Sequence, residues 1–335
     1  MKVTLKDIAE ETGYSISTVS RVLNGSDKIS KQARRKIYQT AKQLKYPIYR
    51  TLNGDKIVDS LKICFVVTGF HVGEFYASLF QGMSKAAEEY SAQLSLISMK
   101  KSFEDTVEAI KELSQGKFEG LVLFAPEFKK EHYNILLDEL PDDFPIISNG
   151  LIENPVVSTV TFDGYSGGFM AGEHFKNQKY QRCGIIKGPF KKAEARYRVN
   201  GFRDQVVQAP DMEISWEYQG DFSFEAGKKA FESFQQVKEE DKPEAIFASN
   251  DAMGHGFLEE ALALGYKVPG DLALIGFDDL PICMRHRPTI SSIHTDYKKL
   301  GKVTIEKMKE MLANPDQQEG ILSFVPVSLK HRESS

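Results

Sequence analysis

A short helical segment near the N-terminus carries side chains that could read the bases of DNA. Its outer side presents Ile16, Ser17 and Arg21. An arginine can form two hydrogen bonds to guanine, and an isoleucine can contact the methyl group of thymine. Hydroxyl and amide side chains nearby could bind phosphates together with backbone amides. These side chains belong to Thr18, Ser20, Asn24 and Ser30. The segment therefore predicts DNA binding.

Three predicted helices would hold this segment in place. Thr4 can cap the first helix, Gly13 follows its end, and Ser15 can cap the second. A third helix is predicted from Ser30 to Leu44. Apolar residues at helical spacing would close a common core, namely Val19, Val22, Leu23, Ala33, Ile37, Ala41 and Leu44. Two short helices about a glycine turn indicate a helix-turn-helix, whose second helix enters the major groove.

The charge of the chain is distributed unevenly. The net charge is -4, yet residues 1–50 hold eleven Lys and Arg against four Asp and Glu. The first fifty residues therefore carry +7, and the remainder carries -11. A small basic module attached to an acidic body is what DNA binding by one end requires, because neutralised phosphates supply most of the sequence-independent affinity.

Size and composition restrict the class of protein. A chain of 335 residues, 41% hydrophobic and 27% charged, is typical of a soluble protein with two or three domains. The longest apolar run, residues 63–67, is too short to span a bilayer, and no apolar signal region follows the first residues. Cys64, Cys183 and Cys283 lie far apart without metal-ligand spacing. We expect a cytoplasmic protein with reduced thiols, no metal and no cofactor.

The rest of the chain alternates short apolar runs with amphipathic helices. Strands are predicted at 62–68, 93–98, 119–124, 144–148, 182–187, 244–248 and 272–276. Helices are predicted near 75–91, 103–115, 130–139, 164–178, 195–208, 223–237, 251–265 and 297–312, before a closing strand near 322–329. This order predicts an α/β body of two doubly wound parallel-sheet subdomains, with ligands bound in the cleft outside the carboxyl ends of the strands. P-loop and H-E-x-x-H strings are absent, so the pattern favours ligand binding over catalysis.

The N-terminal sequence resembles a known family closely. Residues 4–25 read T-L-K-D-I-A-E-E-T-G-Y-S-I-S-T-V-S-R-V-L-N-G, and I-S-K-Q-A-R and L-K-Y follow. This pattern resembles the headpiece of the lactose repressor (LacI/GalR) family of bacterial transcription regulators, and the similarity continues to near the C-terminus. The resemblance implies a homodimer that binds near-palindromic double-stranded operator DNA under control of a small molecule. It also implies a body with the periplasmic-binding-protein fold.

The resemblance implies three regions. A helix-turn-helix domain would cover residues 1–46, a hinge 47–60, and a ligand-binding and dimerisation domain 61–332. The N-subdomain would comprise about 61–161 plus 291–318, and the C-subdomain about 162–290 plus 319–332. In the family the hinge inserts paired leucines into the minor groove. The sequence of this chain departs from the usual hinge sequence of the family, and Leu52 is its nearest equivalent of that leucine.

The resemblance also supplies candidate ligand-binding residues: Phe75, Tyr76, Asp163, Arg196, Phe222, Asn250 and Asp278. Carboxylates, an amide and a guanidinium would bind hydroxyls, and flat aromatic side chains would stack on a ring. Each residue also has a structural explanation, such as helix capping for Asp163, a surface ion pair for Arg196 or core burial for Phe222. The set fits a carbohydrate effector, and a purine or nucleoside co-repressor would use much the same groups.

Two other classes of protein remain open from the sequence. The body alone would suit a solute-binding receptor that serves a transporter, although the basic headpiece favours a regulator. An enzyme on a doubly wound fold is the other possibility, since acidic residues are expected near the cleft. No nucleophile and base pair or metal spacing supports that possibility, so we expect a protein that is not an enzyme.

Overall fold

The computed structural model describes residues 3–23, 29–44, 46, 61–69, 73–99, 102–141, 144–314 and 319–335. The chain divides into two compact units, Met1–Leu61 and Lys62–Ser335. The expected hinge at 47–60 lies outside the described residues, and so do the predicted DNA contacts of Asn24 and Leu52.

The described part of the N-terminal unit contains three short helices: α1 (Leu5–Thr12), α2 (Ile16–Leu23) and α3 (Lys31–Gln43). They enclose a small core in which Ile8, Val19, Val22 and Ile37 are completely buried. The Tyr38 hydroxyl donates a hydrogen bond to the Val22 carbonyl at 2.9 Å and ties α3 to α2. The structure confirms the predicted three-helix core.

Local hydrogen bonds explain where the first two helices begin and end. The Thr4 amide donates to Asp7 Oδ2 at 2.7 Å, as in a capping box. Gly13 ends α1 with φ +74, a left-handed conformation that glycine adopts without strain. The Thr18 amide donates to Ser15 Oγ at 3.1 Å and caps α2. These contacts set the angle between the two helices of the motif.

Within its described residues, the larger unit contains twelve strands in two sheets. In chain order the strands are β1 (Lys62–Thr68), β2 (Gln93–Met99), β3 (Gly120–Phe124), β4 (Ile146–Ser148), β5 (Ser158–Phe162), β6 (Arg182–Lys187), β7 (Glu213–Gln219), β8 (Ala245–Ala248), β9 (Ala273–Asp278), β10 (Ser291–His294), β11 (Leu322–Val325) and β12 (Ser328–Lys330). The first sheet has the order β11-β5-β4-β3-β1-β2 and is parallel throughout. The second has the order β12-β10-β9-β8-β6-β7, and only β12 is antiparallel to its neighbour.

Helices cover both faces of each sheet. They are α4 (Glu74–Glu89), α5 (Phe103–Ser114), α6 (Lys130–Glu139), α7 (Gly164–Asn177), α8 (Ala193–Val207), α9 (Phe224–Gln235), α10 (Asp251–Ala263) and α11 (Tyr297–Ala313). The central strand β1 is buried from Ile63 to Val67, as expected for a parallel strand with helices on both sides. We call the half of the molecule around the first sheet the first lobe and the half around the second sheet the second lobe.

Helices α7 and α8 of the second lobe cross at very short range. A Cβ atom added to Gly168 would lie 1.9 Å from the Arg198 carbonyl oxygen, and one added to Gly201 would lie 1.9 Å from the Tyr165 carbonyl oxygen. Only glycine allows this approach of the two backbones. The crossing fixes the position of α8, whose first two turns face the gap between the lobes.

Three strands escaped the sequence analysis: β5, β7 and the short strand β10, which reads Ser-Ser-Ile-His. Strand β5 reads Ser-Thr-Val-Thr-Phe and is buried from Ser158 to Thr161. Its hydroxyl side chains do not produce the apolar run by which a buried strand is predicted. Strand β7 alternates exposed charged residues with apolar ones at the edge of its sheet. Hydroxyl-rich and edge strands lack the continuous apolar run that marks the central strands.

The expected subdomain bounds need correction at the C-terminal crossings. Strand β10 pairs with β9 in the second sheet, whereas residues from 291 onward were assigned to the first subdomain. Strand β11 pairs with β5 in the first sheet, whereas residues from 319 onward were assigned to the second subdomain. Each crossing therefore falls a few residues later than expected.

The three cysteines, Cys64, Cys183 and Cys283, are buried and unpaired. Burial raises the pKa of Cys64 and of Cys183 to about 12, which makes both thiols poor nucleophiles. Among the described residues, no helix has the length and apolar character needed to cross a membrane.

Candidate functional site

A cavity of about 530 Å³ lies between the two lobes. Its walls come from the carboxyl ends of strands in both sheets: Phe124 ends β3 and Phe162 ends β5 in the first lobe, and Asp278 ends β9 in the second. Parallel doubly wound sheets bind ligands at this edge, where the loops diverge from the strands. The cavity is large enough for a small cyclic metabolite.

The floor of the cavity in the second lobe is an ion pair between Arg198 and Asp278. Arg198 Nη2 lies 3.0 Å from Asp278 Oδ1, and Nη1 donates to the Ser249 carbonyl at 2.6 Å. The guanidinium carbon sits 3.8 Å from the centre of the Phe277 ring. Residue exposures of 8% for Arg198 and 4% for Asp278 show that the pair is almost free of solvent. The guanidinium is therefore held rigidly at the cavity.

Asp278 is held in a strained position beside a second buried carboxylate. Its φ of +106 lies outside the region that non-glycine residues prefer. Burial raises the pKa of Asp278 to about 6, although the Arg198 guanidinium opposes the shift. Burial also raises the pKa of Asp251, and the charge of Asp278 adds to that shift. Ser292 Oγ and the Leu280 amide donate to the two oxygens of Asp251, so its role is to brace the end of β9.

Asn250 and Phe222 form one side of the cavity in the second lobe. Asn250 caps α10 by accepting from the Met253 amide at 3.0 Å, and its Nδ2 donates to the Phe222 carbonyl at 2.9 Å. Phe222 has φ +75, which that hydrogen bond stabilises. The Phe222 ring lies 5.7 Å from the Arg198 guanidinium carbon and lines the cavity. Asn250 thus places an aromatic ring next to the charged floor.

The first lobe contributes an aromatic wall. Phe75 and Tyr76, at the start of α4, line the cavity together with Phe124. The Phe75 ring is 5.6 Å from Phe124 and 5.2 Å from Tyr76, so the three rings form one cluster. Five of the seven predicted ligand-binding residues therefore meet at one cavity: Phe75, Tyr76, Phe222, Asn250 and Asp278.

The structure places the other two predicted residues elsewhere. The Arg196 guanidinium is outside the cavity, where it donates to Glu153 Oε2 at 2.6 Å and to the Phe190 carbonyl at 2.9 Å. Asp163 caps α7 by accepting from the amide and the hydroxyl of Ser166. Both side chains are engaged in structural contacts, so the structure corrects their expected placement at the ligand site.

The arginine at the cavity is Arg198, two residues after the one predicted. The helical spacing of the buried residues in α8 could have identified Arg198 from the sequence. Arg198 falls on the buried stripe of α8 that includes Ala195 and Phe202, whereas Arg196 points away from it. Sequence reasoning also missed further polar residues that line the cavity, among them Lys192, Glu194 and His255.

One catalytic pattern was overlooked in the sequence analysis, and the structure explains it. Residues 164–168 read Gly-Tyr-Ser-Gly-Gly and fit G-x-S-x-G, the pattern of an α/β-hydrolase nucleophile turn. Ser166, however, is the third residue of α7, and its hydroxyl donates to Asp163 Oδ2 at 2.6 Å. The glycines serve the close crossing of α7 and α8. Ser166 acts here as part of a helix cap.

The predicted DNA-reading residues of α2 lie on its outer side. Ile16 is 48% exposed although it is apolar, and Ser17 and Arg21 are also exposed. Thr18 and Ser20 are half-buried, and Ser30 is exposed before α3, where its hydroxyl accepts from the Ala33 amide. An exposed isoleucine between polar residues suits contact with DNA, and these contacts remain predictions.

A helix-turn-helix unit joined to a two-lobed ligand-binding body defines a class of protein, the DNA-binding regulator that responds to a small molecule. Comparison with known protein families agrees with this two-part organisation. Residues 4–47 match the model of bacterial regulatory proteins of the lacI family, and residues 173–335 match a periplasmic binding protein-like domain. The chain thus carries a lacI-family helix-turn-helix domain together with a periplasmic binding protein-like domain.

Full-length relatives support this assignment. The ribose operon repressor of Escherichia coli (strain K12) is 26% identical over 341 residues, which cover 98% of both chains. The HTH-type transcriptional repressor PurR of Photobacterium profundum is 24% identical over 325 residues, covering 96% of both. The chain therefore matches these relatives over nearly their whole length.

Solved structures share the fold. A transcriptional regulator CelR–cellobiose complex has a TM-score of 0.71 at 24% identity, with 100% of both chains covered. The lac repressor dimer bound to operator and the anti-inducer ONPF has a TM-score of 0.72 at 22% identity, covering 100% of this chain and 99% of that one. Both likenesses extend over the headpiece and the two lobes.

Proposed function

We propose that this protein is a cytoplasmic transcriptional repressor whose affinity for operator DNA changes when a neutral sugar or sugar derivative occupies the cavity. It acts as a homodimer, so two headpieces would read a near-palindromic operator. The observation that carries the proposal is the cavity, which places Arg198, Asn250 and Asp278 opposite an aromatic wall in a chain that also has a helix-turn-helix. The protein acts by binding rather than by catalysis.

The pairing of the arginines at the cavity favours a neutral ligand over an anion. Both arginines that line it are already paired, Arg198 with Asp278 and Arg285 with Glu74. A phosphate or carboxylate would have to compete with these carboxylates for the guanidinium groups.

Unpartnered acceptors favour a ligand with several hydrogen-bond donors. Among the described residues, Asn149 Oδ1 and Glu194 Oε2 are buried and have no hydrogen-bond partner, and both residues line the cavity. Buried polar atoms are costly unless they are hydrogen-bonded. The hydroxyl groups of a sugar would satisfy both oxygens, while the ring would pack on Phe222 or the aromatic wall.

A purine or nucleoside is the second candidate, because the cavity surface is mainly apolar and aromatic. Phe75, Phe124 and Phe222 could stack on a flat base as well as on a sugar ring. One relative is a ribose operon repressor and one solved structure of similar fold is a cellobiose complex, which adds support for the sugar. The aromatic side chains accommodate both classes of ligand, so binding must decide.

The proposal can be tested with the full-length protein in two steps. DNA selected from a random library should contain two half-sites related by a two-fold axis. Ribose, cellobiose, guanine and guanosine should then be compared in a thermal-shift assay and in binding to the selected DNA. We expect a neutral sugar to raise the melting temperature and to change the affinity for DNA.

Three outcomes would contradict parts of the proposal. Selected DNA without two-fold symmetry would contradict the homodimeric reading of an operator. A response to guanine or guanosine alone would replace the sugar by a purine. Turnover of a bound sugar, detected by chromatography, would contradict a function limited to binding.

A further inference from the structure

Two glutamates form hydrogen bonds between the lobes. Glu194 of the second lobe accepts at Oε1 from the Leu151 amide of the first lobe, at 2.8 Å. Glu74 of the first lobe accepts at Oε2 from the Ile282 amide of the second lobe, at 2.7 Å. Each bond joins residues that are remote in the chain, and both break if the lobes separate.

Glu194 differs from Glu74 in its second oxygen. Within the described part of the chain, neither second oxygen has a hydrogen-bond partner of good geometry, but Glu74 Oε1 lies 2.5 Å from Arg285 Nη2 and forms an ion pair with it. Glu194 Oε2 is buried and has no hydrogen-bond partner among the described residues, and the side chain lines the cavity. One oxygen of this carboxylate thus touches the opposite lobe, and the other is a buried acceptor without a partner in a residue that lines the cavity.

The local structure holds Glu194 in this position. It is the second residue of α8, where the helix dipole favours a carboxylate. Burial raises the pKa of Glu194, while the Leu151 amide and the charges of Arg198 and Lys192 lower it. The ion pair between Arg196 and Glu153 joins the same two segments two residues away, with 2.6 Å between Arg196 Nη2 and Glu153 Oε2.

We propose that Glu194 is a latch that holds the lobes closed through Leu151 and that selects ligands able to donate a hydrogen bond to Oε2. This inference rests on the proposed function for the class of ligand, but not for the closure. A donor from the ligand satisfies Oε2 and fixes the carboxylate, so Oε1 keeps the Leu151 amide. A ligand that presents only acceptors to Glu194 repels the carboxylate and weakens the same bond. Occupancy of the cavity is thereby converted into closure of the lobes.

Hydrogen exchange of the full-length protein tests the latch without any ligand. Glu194→Ala should accelerate exchange of the Leu151 amide, because its acceptor is lost. If Glu194 holds the lobes together, exchange of the Ile282 amide at the other contact between the lobes should also accelerate, by about tenfold or more. Glu232→Ala removes an exposed glutamate in the middle of α9 and should change neither amide. Acceleration at Leu151 alone, or at neither amide, would overturn the latch.

Sugar binding tests whether Glu194 Oε2 accepts a hydrogen bond from the ligand. Ribose or cellobiose should slow exchange of both amides in the parent protein. Glu194→Gln keeps a carbonyl acceptor but offers an amide donor at the other position, so the half-maximal concentration of that sugar should rise by about tenfold or more. An unchanged concentration would overturn the acceptor role. If neither sugar affects the parent, the sugar in the proposed function fails, while the latch is still decided by Ile282 in Glu194→Ala.

Discussion

Arg198 and Asp278 form a buried ion pair that joins helix α8 to the end of strand β9, with 3.0 Å between Nη2 and Oδ1. The two residues lie 80 positions apart in the chain and meet only because the crossing of α7 and α8 places α8 over the second sheet. The pair is the rigid base on which the cavity is built. Its removal should therefore affect both stability and ligand binding.

Arg198→Ala should destabilise the protein by about 3–5 kcal/mol, because it leaves the buried Asp278 carboxylate without its partner. Arg196→Ala is the matched control, since its ion pair with Glu153 is partly exposed and such pairs contribute at most about 1 kcal/mol. Urea unfolding of the full-length variants measures both values. Equal losses in the two variants would show that the buried pair has no special role.

The titration of Asp278 should make stability depend on pH. Its pKa is raised from 3.8 to about 6 in the folded protein, so the folded state binds this proton more tightly than the unfolded state. The resulting stabilisation is complete below pH 3.8 and is lost as the pH rises through about 6. Unfolding of the parent and of Asp278→Asn should be compared at steps across this window. We expect the stability of the parent relative to the variant to fall with rising pH; a rise would contradict the assignment.

Gly201→Ala should destabilise the second lobe and weaken ligand binding together. The added methyl group would meet the Tyr165 carbonyl oxygen at 1.9 Å and push α8 away from α7. Overpacking of this kind costs about 1–3 kcal/mol, and α8 carries Arg198 and Glu194. Gly254→Ala in α10 is the control, because its nearest neighbour would be Ala248 Cβ at 3.4 Å. We expect that variant to match or exceed the parent, by up to about 1 kcal/mol, in thermal and urea unfolding.

Substitutions in α2 should separate DNA reading from folding. Arg21→Ala and Ile16→Ala remove exposed side chains, so helical circular dichroism should stay constant while affinity for selected DNA falls, by about 10–100-fold for Arg21. Val19→Ala creates a cavity in a core of few residues and should destabilise the headpiece by on the order of 2 kcal/mol. Fluorescence anisotropy measures DNA binding. If Arg21→Ala bound the selected DNA with unchanged affinity, Arg21 would not be a base-reading residue.

Much of the architecture was accessible from the sequence. The caps at Thr4 and Ser15 and the turn at Gly13 are local features, and the structure shows each of them. The alternation of apolar runs and amphipathic helices predicted two doubly wound sheets, which the structure confirms. Candidate residues at or just after the ends of strands, such as Asp278 and Asn250, reached the cavity because parallel strands end at one edge.

Sequence reasoning failed where a side chain could point in two directions. Arg196 and Arg198 have the same chemistry on the same helix, and only the packing of α8 decides which one faces the cavity. Asp163 follows strand β5 as Asp278 ends β9, yet its carboxylate turns back to cap α7. An aspartate at this position can either cap the next helix or bind a ligand. The three-dimensional packing decides between the two, and the residue type alone does not reveal the outcome.

The sequence by itself determined the modules: a basic helix-turn-helix followed by an acidic body of two parallel sheets. Those features depend on local propensity, apolar periodicity and charge, which are properties of neighbouring residues. Only the tertiary structure decided which polar groups meet between the lobes. Glu194 reaches Leu151 over 43 positions and Glu74 reaches Ile282 over 208, because three chain crossings bring the lobes face to face. Contacts at such separations depend on the packing of whole lobes, which no local pattern encodes.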